Sequence, residues 1–232
     1  MLRRFCIVCV SVFASTALVQ AQQAPGGTAP ASAPTEAKAP PSPSKAMENP
    51  EPGDHWTFEL RDDVTGNVKS TFIYTITDVT ATDISVRMSV MGNPSPSYIT
   101  FDRAWNMTNS GTWRYTPGDG AGIKLPLAVG KTWPVKATEV RTSPSMTFKR
   151  SGSTKVVGQE SFTTKAGTFE TFKIETSFED QNSNDPTKKM KITLQSWYAP
   201  AIDHWVKRTT EKRQDGRLLD KSTMELVAYG RR

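Results

Sequence analysis

Apolar side chains recur at every second position in three successive segments, Trp56–Leu60, Phe72–Ile76 and Ile84–Val90. The side chains of a β-strand point alternately to its two faces, so a period of two predicts strands with one buried face. Turn-forming residues separate the segments at 62–67 and 80–83. The pattern predicts a three-stranded antiparallel meander at the start of the domain.

The clearest hairpin in the sequence has its turn at residues 164–167, where Lys-Ala-Gly interrupts two runs rich in Thr and Phe. With a four-residue turn, Val157 would face Ile174 and Phe162 would face Phe169. The two phenylalanines would then form either a small capping cluster or an exposed aromatic pair.

The same alternation continues to the C-terminus, and it predicts further strands at 98–103, 112–116, 131–142, 189–198, 205–214 and 218–229. Pro126 and Pro134 place the run at 131–142 at a sheet edge or a strand entrance. Asp215-Gly216 is a pair favoured in tight hairpin turns. No segment has the spacing of an amphipathic helix. We therefore predict an all-β domain, a single antiparallel meander of about ten strands curled into a half-open barrel or a sandwich.

Residues 1–21 have the three parts of a secretory signal peptide. A basic start, Arg3-Arg4, precedes an uncharged and mostly apolar run from Phe5 to Val19, and Ala21 offers a small residue for cleavage. The run has about 15 residues, and a bilayer span needs roughly 20. We expect cleavage after Ala21 and a periplasmic or secreted protein, with an uncleaved anchor as the alternative.

Residues 22–52 are rich in Pro, Ala, Ser and Thr, and Met47 is their only large apolar residue. Such a composition cannot bury enough surface to offset the entropy of ordering, so it predicts a disordered linker. The all-β domain is predicted at residues 53–232. Because Cys6 and Cys9 both lie in the signal peptide, the exported protein is expected to lack disulfides and thiolate metal sites.

The chain has 29 basic and 23 acidic residues, a net charge of +6, and many of the basic residues lie late in the sequence. Lys207 and Arg208 are neighbours on a predicted strand and so point to opposite faces, whereas a nucleic-acid groove needs its cations on one face. The partner remains unknown; the charge fits an anionic envelope polymer or lipid and not a nucleic acid. So many charges at mid-strand also disfavour a transmembrane barrel, so the chain is not expected to be transmembrane after signal cleavage.

The residue types needed for catalysis are sparse. The two histidines, His55 and His204, lie far apart, and Asp203 would point away from His204 on a strand. No Gly-x-Ser-x-Gly motif nominates a nucleophile. The acidic pairs at 62–63 and 179–180 are interpreted as solvated turn residues. We therefore assign no catalytic residue, no metal ligand and no cofactor, and the ligand-binding residues stay unknown.

Four short motifs resemble exported bacterial β-rich proteins of the domain-of-unknown-function kind. They are Leu125–Trp133, Gly158–Glu160, Ala166–Ile174, and Trp197–Pro200 together with Trp205–Arg208. The resemblance covers roughly residues 120–210. It implies a curled antiparallel sheet in an envelope or secreted protein, and it implies no catalytic residues.

Three functions fit these observations. The first is a non-enzymatic binding or structural module of the bacterial cell envelope. The second is a lipid or hydrophobe carrier in which a curled sheet forms a trough, with some of the six tryptophans on its concave side. The third is a hydrolase, which the search for catalytic motifs disfavours.

Overall fold

The computed structural model describes residues 47–231. These residues form twelve strands and one 3-10 turn, Pro200–Ile202. The strands are β1 His55–Asp62, β2 Val68–Val79, β3 Asp83–Val90, β4 Ser97–Asp102, β5 Met107–Ser110, β6 Trp113–Thr116, β7 Thr132–Thr142, β8 Ser145–Thr164, β9 Gly167–Asn182, β10 Lys189–Ala199, β11 His204–Gln214 and β12 Arg217–Gly230. Within this range, no helix is long and apolar enough to span a membrane.

Each strand pairs antiparallel with the strand that follows it, and β12 returns to pair with β1, so the sheet closes into a barrel. The predicted all-β antiparallel meander is confirmed. It is closed rather than half-open, and it has two strands more than the approximate number expected. The short strand β5 was not predicted. The predicted signal peptide and residues 22–46 of the predicted linker lie outside the described residues.

The hairpin of β8 and β9 shows why its register could be predicted only in part. Phe162 pairs with Phe169, as the sequence predicts, but Ile174 pairs with Val156 and not with Val157. A β-bulge at Val157 adds one residue to β8, so every pair beyond it shifts by one. The turn at Thr164–Gly167 keeps the expected position.

The strand connections divide the barrel into two ends. The hairpin end carries the short turns that follow β1, β3, β5, β7, β9 and β11. The loop end carries the other connections, including the long stretch between β6 and β7 and the 3-10 turn between β10 and β11. The tight turn predicted at Asp215-Gly216 lies at the hairpin end. Asp215 and Gly216 both have positive φ, 50° and 76°, as a tight hairpin turn requires.

The last residues of the predicted linker are packed against the loop end. Met47 is 1 % exposed, and its backbone N–H donates to the carbonyl of Ala201 at 2.9 Å. Pro50 is also buried. The packed part of the chain therefore begins at least as early as Met47, ahead of the expected boundary at Gly53.

Candidate functional site: the barrel lumen

The loop end of the barrel is filled by aromatic side chains. The ring of His204 lies 4.6 Å from that of Trp56, 4.8 Å from that of Trp105 and 3.9 Å from that of Trp205, measured between centroids. All four side chains are buried, and we call them the aromatic core. Burial lowers the pKa of His204 to about 3, so the imidazole is neutral and packs like another aromatic ring.

The two histidines weighed as catalytic residues have no catalytic partners among residues 47–231. His204 Nδ1 lies 3.3 Å from the carbonyl oxygen of Trp205, and His55 Nδ1 lies 3.2 Å from that of Gly53. Asp203 instead accepts a hydrogen bond from the hydroxyl of Tyr198 at 2.5 Å. Burial raises the pKa of Asp203 to about 6. These contacts stabilise a turn and do not orient a base.

The connection between β6 and β7 folds into the barrel, and we call residues 117–124 the inserted loop. The Asp119 carboxylate accepts the backbone N–H groups of Met107 and Ala121, each at 3.0 Å. A Cβ on Gly122 would lie 2.3 Å from a backbone carbonyl oxygen of the β4–β5 turn, so only glycine allows this approach. The inserted loop is thus held rigidly against its neighbours.

Arg150 on β8 anchors the inserted loop through a buried ionic network. Its guanidinium donates twice to Asp180 and once to Glu139, each at 2.7 Å, and once to the carbonyl of Asp119 at 2.8 Å. The guanidinium also lies 4.0 Å from the ring of Phe178. Burial raises the pKa of Glu139 to about 7, although the charge of Arg150 acts in the opposite direction. Every nitrogen of this arginine has an acceptor.

Arg208 on β11 reaches the same loop from the other side of the barrel. Its Nε donates to Ser196 Oγ at 2.8 Å and its Nη2 donates to the carbonyl of Ala121 at 2.9 Å. The guanidinium lies over the ring of Trp205 at 3.9 Å. Unlike Arg150, Arg208 is only half-buried, and within residues 47–231 it has no carboxylate within 4.0 Å.

On β9 and β10, the inward Phe178, Ile192 and Leu194 are buried in the half of the barrel nearer the hairpin end. On β1, β2, β3 and β12, by contrast, some inward side chains towards the hairpin end are only half-buried. They alternate with fully buried inward residues such as Phe58 and Ile76 and so point to the interior, yet they remain half-buried. We call this set the lumen wall: Leu60, Phe72, Tyr74, Met88 and Met224.

The lumen wall lies on the side of the barrel formed by β1, β2, β3 and β12, next to Arg208 on β11. Arg208 lies six residues before the end of β11 at Gln214, and Met224 lies seven residues after the start of β12 at Arg217. Six residues of strand span about 20 Å. Arg208 and the inserted loop therefore lie well inside the barrel, at the inner end of the lumen wall, and we call them the floor of the lumen.

Little space remains between this floor and the aromatic core. The space between the aromatic core, Arg208 and Ala121–Ile123 contains a cavity of only about 10 Å³, roughly the least that one water occupies. The candidate site is therefore a one-sided lumen that combines the apolar lumen wall with a polar floor.

Two charged pairs, which the sequence analysis had assigned to strand faces or turns, can be compared with their observed positions. Lys207 and Arg208 do point to opposite faces, as predicted, because Lys207 pairs with Trp197 on the outer side. The pair Glu179 and Asp180 was expected in a solvated turn, and this was wrong: both lie in β9, and Asp180 is 3 % exposed. The strand continues to Asn182 and brings Asp180 opposite Arg150.

Sequence reasoning did not single out Arg150, Glu139 or Arg208 as interior residues. A signal existed, since Arg150 shares the inward alternation of Phe148 and Val156. An inward charge on a strand is easily dismissed, however, unless a partner on another strand is known. Between Met47 and Arg231, no group of three or more His, Cys, Asp or Glu residues could hold a metal ion.

Comparison with known families supports the resemblance that the four motifs indicate. The family model described as DUF3108-like matches residues 135–222. The chain is similar to this domain-of-unknown-function family. The matched range contains three of the four motifs and runs from β7 into β12, so it includes Glu139, Arg150, Asp180 and Arg208. No curated protein sequence matches the chain significantly.

Three solved structures are similar in fold. A candidate lipoprotein from Parabacteroides distasonis has a TM-score of 0.49 and 14% identity, covering 80% of this chain and 99% of that one. A candidate exported protein with a YmcC-like fold from Bacteroides fragilis has a TM-score of 0.45 and 14% identity, covering 81% and 100%. The hypothetical lipoprotein YmcC from Escherichia coli has a TM-score of 0.47 and 10% identity, covering 78% and 85%.

Proposed function

We propose that this chain is an exported, non-enzymatic binding domain that takes an apolar molecule into the barrel lumen. The observation that carries the proposal is the exposure left on Phe72, Tyr74 and Met224, which point into a closed barrel. Side chains just fill a barrel of eight strands. Twelve strands enclose a wider interior, and the buried side chains of the aromatic core and of β7–β10 leave the side of β1, β2, β3 and β12 incompletely filled.

The composition of the wall fits an apolar ligand. Its members are two methionines, one leucine and two aromatic residues. Methionine is flexible and polarizable, so it adapts to ligands of different shape. Ligand pockets are lined mostly by apolar and aromatic side chains with a few polar groups that fix orientation. The lumen has both parts, because Arg208 lies at its floor.

A second concave region supports this function less well. A cleft of about 340 Å³ lies at the loop end, between the inserted loop and the start of β7, and is lined in part by Gly118, Ile123 and Trp133. Lys124 and Lys136 also line it, so a long apolar molecule would find no continuous apolar wall. The lumen is therefore the better candidate.

The non-enzymatic part of the proposal is supported by the roles of the buried titratable groups. Arg150 holds the inserted loop, Asp203 binds Tyr198, and His204 belongs to the aromatic core. Each has a structural contact that accounts for its burial. A catalytic base would instead face the space where a substrate binds.

Export rests on the signal-peptide pattern of residues 1–21. We expect N-terminal sequencing of protein recovered from the periplasm or the medium to begin at Gln22. A sequence that begins at Met1 would contradict export by this route.

The lumen is tested with N-phenylnaphthylamine, a neutral apolar dye whose fluorescence rises when it leaves water. We expect saturable binding to the purified protein and at least about a tenfold weaker affinity in Met88→Glu, which puts a charge on the lumen wall. The matched control is Met91→Glu in the exposed turn after β3, where Met91 is 68 % exposed and no change is expected.

Two results would contradict the proposal: no saturable binding by the native protein, or equal weakening by both substitutions. Thermal melts of both variants establish that they are folded. Native mass spectrometry of protein purified from the periplasm gives an independent reading, because a resident apolar molecule would add its mass to the polypeptide.

A further inference from the structure

We propose that the lumen takes an anionic amphiphile, whose negatively charged oxygen head contacts Arg208 while its apolar chain lies along the lumen wall. This inference rests on the proposed function and specifies the ligand class. It follows from a comparison of the two interior arginines and from the position of Tyr74.

The guanidinium of Arg208 keeps donors that the protein does not use. An arginine has five N–H groups. Ser196 and Ala121 take one each, through Nε and Nη2. The contacts within residues 47–231 leave Nη1 without an acceptor, whereas all three nitrogens of Arg150 are engaged. The lumen side of Arg208 is therefore able to bind a ligand oxygen.

The charge of Arg208 is also incompletely compensated. Among the carboxylates, Asp119 has the largest effect on the pKa of Arg208, which it raises. One Asp119 oxygen already accepts the N–H groups of Met107 and Ala121, and among residues 47–231 Arg208 forms no ion pair within 4.0 Å. Burial lowers the pKa of Arg208 to about 10, still far above neutrality. A half-buried cation is partly removed from water and is unfavourable unless it is paired, so an anion at this position would be stabilised.

Two neighbours define the shape of the head site. The ring of Trp205 supports the guanidinium plane at 3.9 Å and fixes its direction. The hydroxyl of Tyr74 makes no hydrogen bond to the described residues. Burial raises the pKa of Tyr74 to about 12 and the charge of Arg208 lowers it, so the hydroxyl stays protonated and is within range of the charge of Arg208. We assign this hydroxyl as a second donor to the same head.

A flat or tetrahedral anion with at least two oxygens matches this arrangement, because a guanidinium binds such groups through parallel N–H donors. Carboxylate and phosphate monoester share this chemistry. From the head site, Met224 is the cross-strand neighbour of Arg208, and Leu60 is the neighbour of Met224, so apolar wall begins immediately beside the floor.

Four competitors of bound N-phenylnaphthylamine test the inference: laurate, dodecyl phosphate, 1-dodecanol and inorganic phosphate. We expect laurate and dodecyl phosphate to displace the dye at concentrations at least about tenfold lower than 1-dodecanol does, because each gains a charged hydrogen bond. Inorganic phosphate, which has no chain, is expected not to displace it.

Substitutions then locate the head site. In Arg208→Gln, laurate should displace the dye only at the concentration that 1-dodecanol needs, and the concentration needed for 1-dodecanol should not change. Tyr74→Phe should reduce the difference between the two concentrations by a smaller factor. Arg217→Gln, at the exposed start of β12, is the matched control and should keep the full difference between laurate and 1-dodecanol. Arg208→Lys keeps the positive charge but lacks the paired N–H donors of a guanidinium, so its preference for laurate over 1-dodecanol should be intermediate.

Equal displacement by laurate and 1-dodecanol in the native protein would overturn the inference and leave the proposed function standing; this comparison needs no variant to fold. Displacement by inorganic phosphate as strong as by dodecyl phosphate would overturn it too, since the chain would then contribute nothing. Failure of the native protein to bind the dye at all would instead remove the proposed function itself.

Discussion

Arg150 and Arg208 are both inward-facing arginines that hold the inserted loop, yet their surroundings differ. Arg150 is surrounded by two carboxylates and a carbonyl, and these contacts fix its position completely. Arg208 holds the loop with a single hydrogen bond, and its Nη1 has no acceptor among residues 47–231. The first residue is therefore expected to determine stability, and the second to determine ligand choice.

Asp180→Asn is expected to destabilise the domain by about 3 kcal/mol, because it leaves the buried Arg150 charge with only one carboxylate. Urea denaturation followed by tryptophan fluorescence measures the change. Glu179→Gln is the control: this neighbour faces solvent and pairs with Lys189 at 2.9 Å, so its loss should cost less than about 1 kcal/mol. Equal costs at the two positions would contradict a buried network.

His204 makes stability depend on pH. Its folded pKa of about 3 lies below the ordinary histidine value of 6.5, so below pH 6.5 the unfolded chain binds a proton that the folded chain does not bind. This contribution is complete above pH 6.5 and is lost as the pH falls towards 3, at up to about 1.4 kcal/mol per pH unit.

The pH effect is isolated by comparison with His204→Gln. Glu139 has a raised pKa and acts in the opposite direction, making the fold less stable as the pH rises from 4.5 to about 7, but this contribution is common to both proteins. We expect the free energy of unfolding to fall more steeply in the native protein than in the variant between pH 6.5 and 3. Parallel pH profiles would contradict a neutral, buried His204.

Among the elements, the hairpin of β8 and β9 has two different parts. Up to the bulge at Val157 it belongs to the barrel wall. Beyond the bulge its tip covers the outside of neighbouring strands, where the ring of Phe162 lies 5.4 Å from that of Trp197 and the Lys207 ammonium lies 5.0 Å from Phe162. A second contact, Lys165 to Glu59 at 2.7 Å, ties the turn to β1.

Phe162→Ala should cost about 1–2 kcal/mol, less than a fully buried phenylalanine, because the side chain is half-buried and stacks on Trp197. The control is Tyr98→Ala on β4, where the aromatic ring is 64 % exposed and the change should stay within about 0.5 kcal/mol. Urea denaturation compares the two. A negligible effect at Phe162 would mean that the hairpin tip does not stabilise the barrel.

The same hairpin shows how far the sequence predicts this fold. Two-residue alternation and turn chemistry are local properties, and they predicted the Phe162–Phe169 pair and nearly every strand. The bulge at Val157 leaves no local mark, because a strand with an extra residue still alternates on either side of it. β5 has four residues and was too short to show a pattern.

The interior site was harder to predict for a physical reason. Glu139, Arg150 and Asp180 come from three different strands, and each alone looks like an ordinary surface charge. They become recognisable only when the register places them together. Arg208 was predicted to face away from Lys207, but alternation cannot say which of two faces is the inside.

For the whole molecule, the decisive contacts join the two ends of the described chain. β1 pairs with β12 and closes the barrel, a contact between distant residues that local patterns do not reveal. Beside this seam, Arg231 donates to Asp54 at 2.8 Å and 2.9 Å and to the carbonyl of Asn49 at 2.6 Å. The segment from Met47 to Gly53 is therefore part of the closure, although its composition resembles that of the linker.

A chain that begins at Gly53, the boundary predicted from composition, should therefore melt at a lower temperature than one that begins at Gln22. It loses Met47, which is 1 % exposed, and removing a buried methionine side chain costs about 2–5 kcal/mol. For a domain of this size that corresponds to roughly 5–15 °C in Tm.

Met47→Ala in the longer chain should reproduce most of the loss, because the contact belongs to one side chain. Glu48→Ala, at the exposed neighbouring position, should leave Tm unchanged. Differential scanning calorimetry compares the four proteins. Equal Tm values for the two chain lengths would mean that the barrel closes without this segment, and that β1 and β12 alone hold the seam.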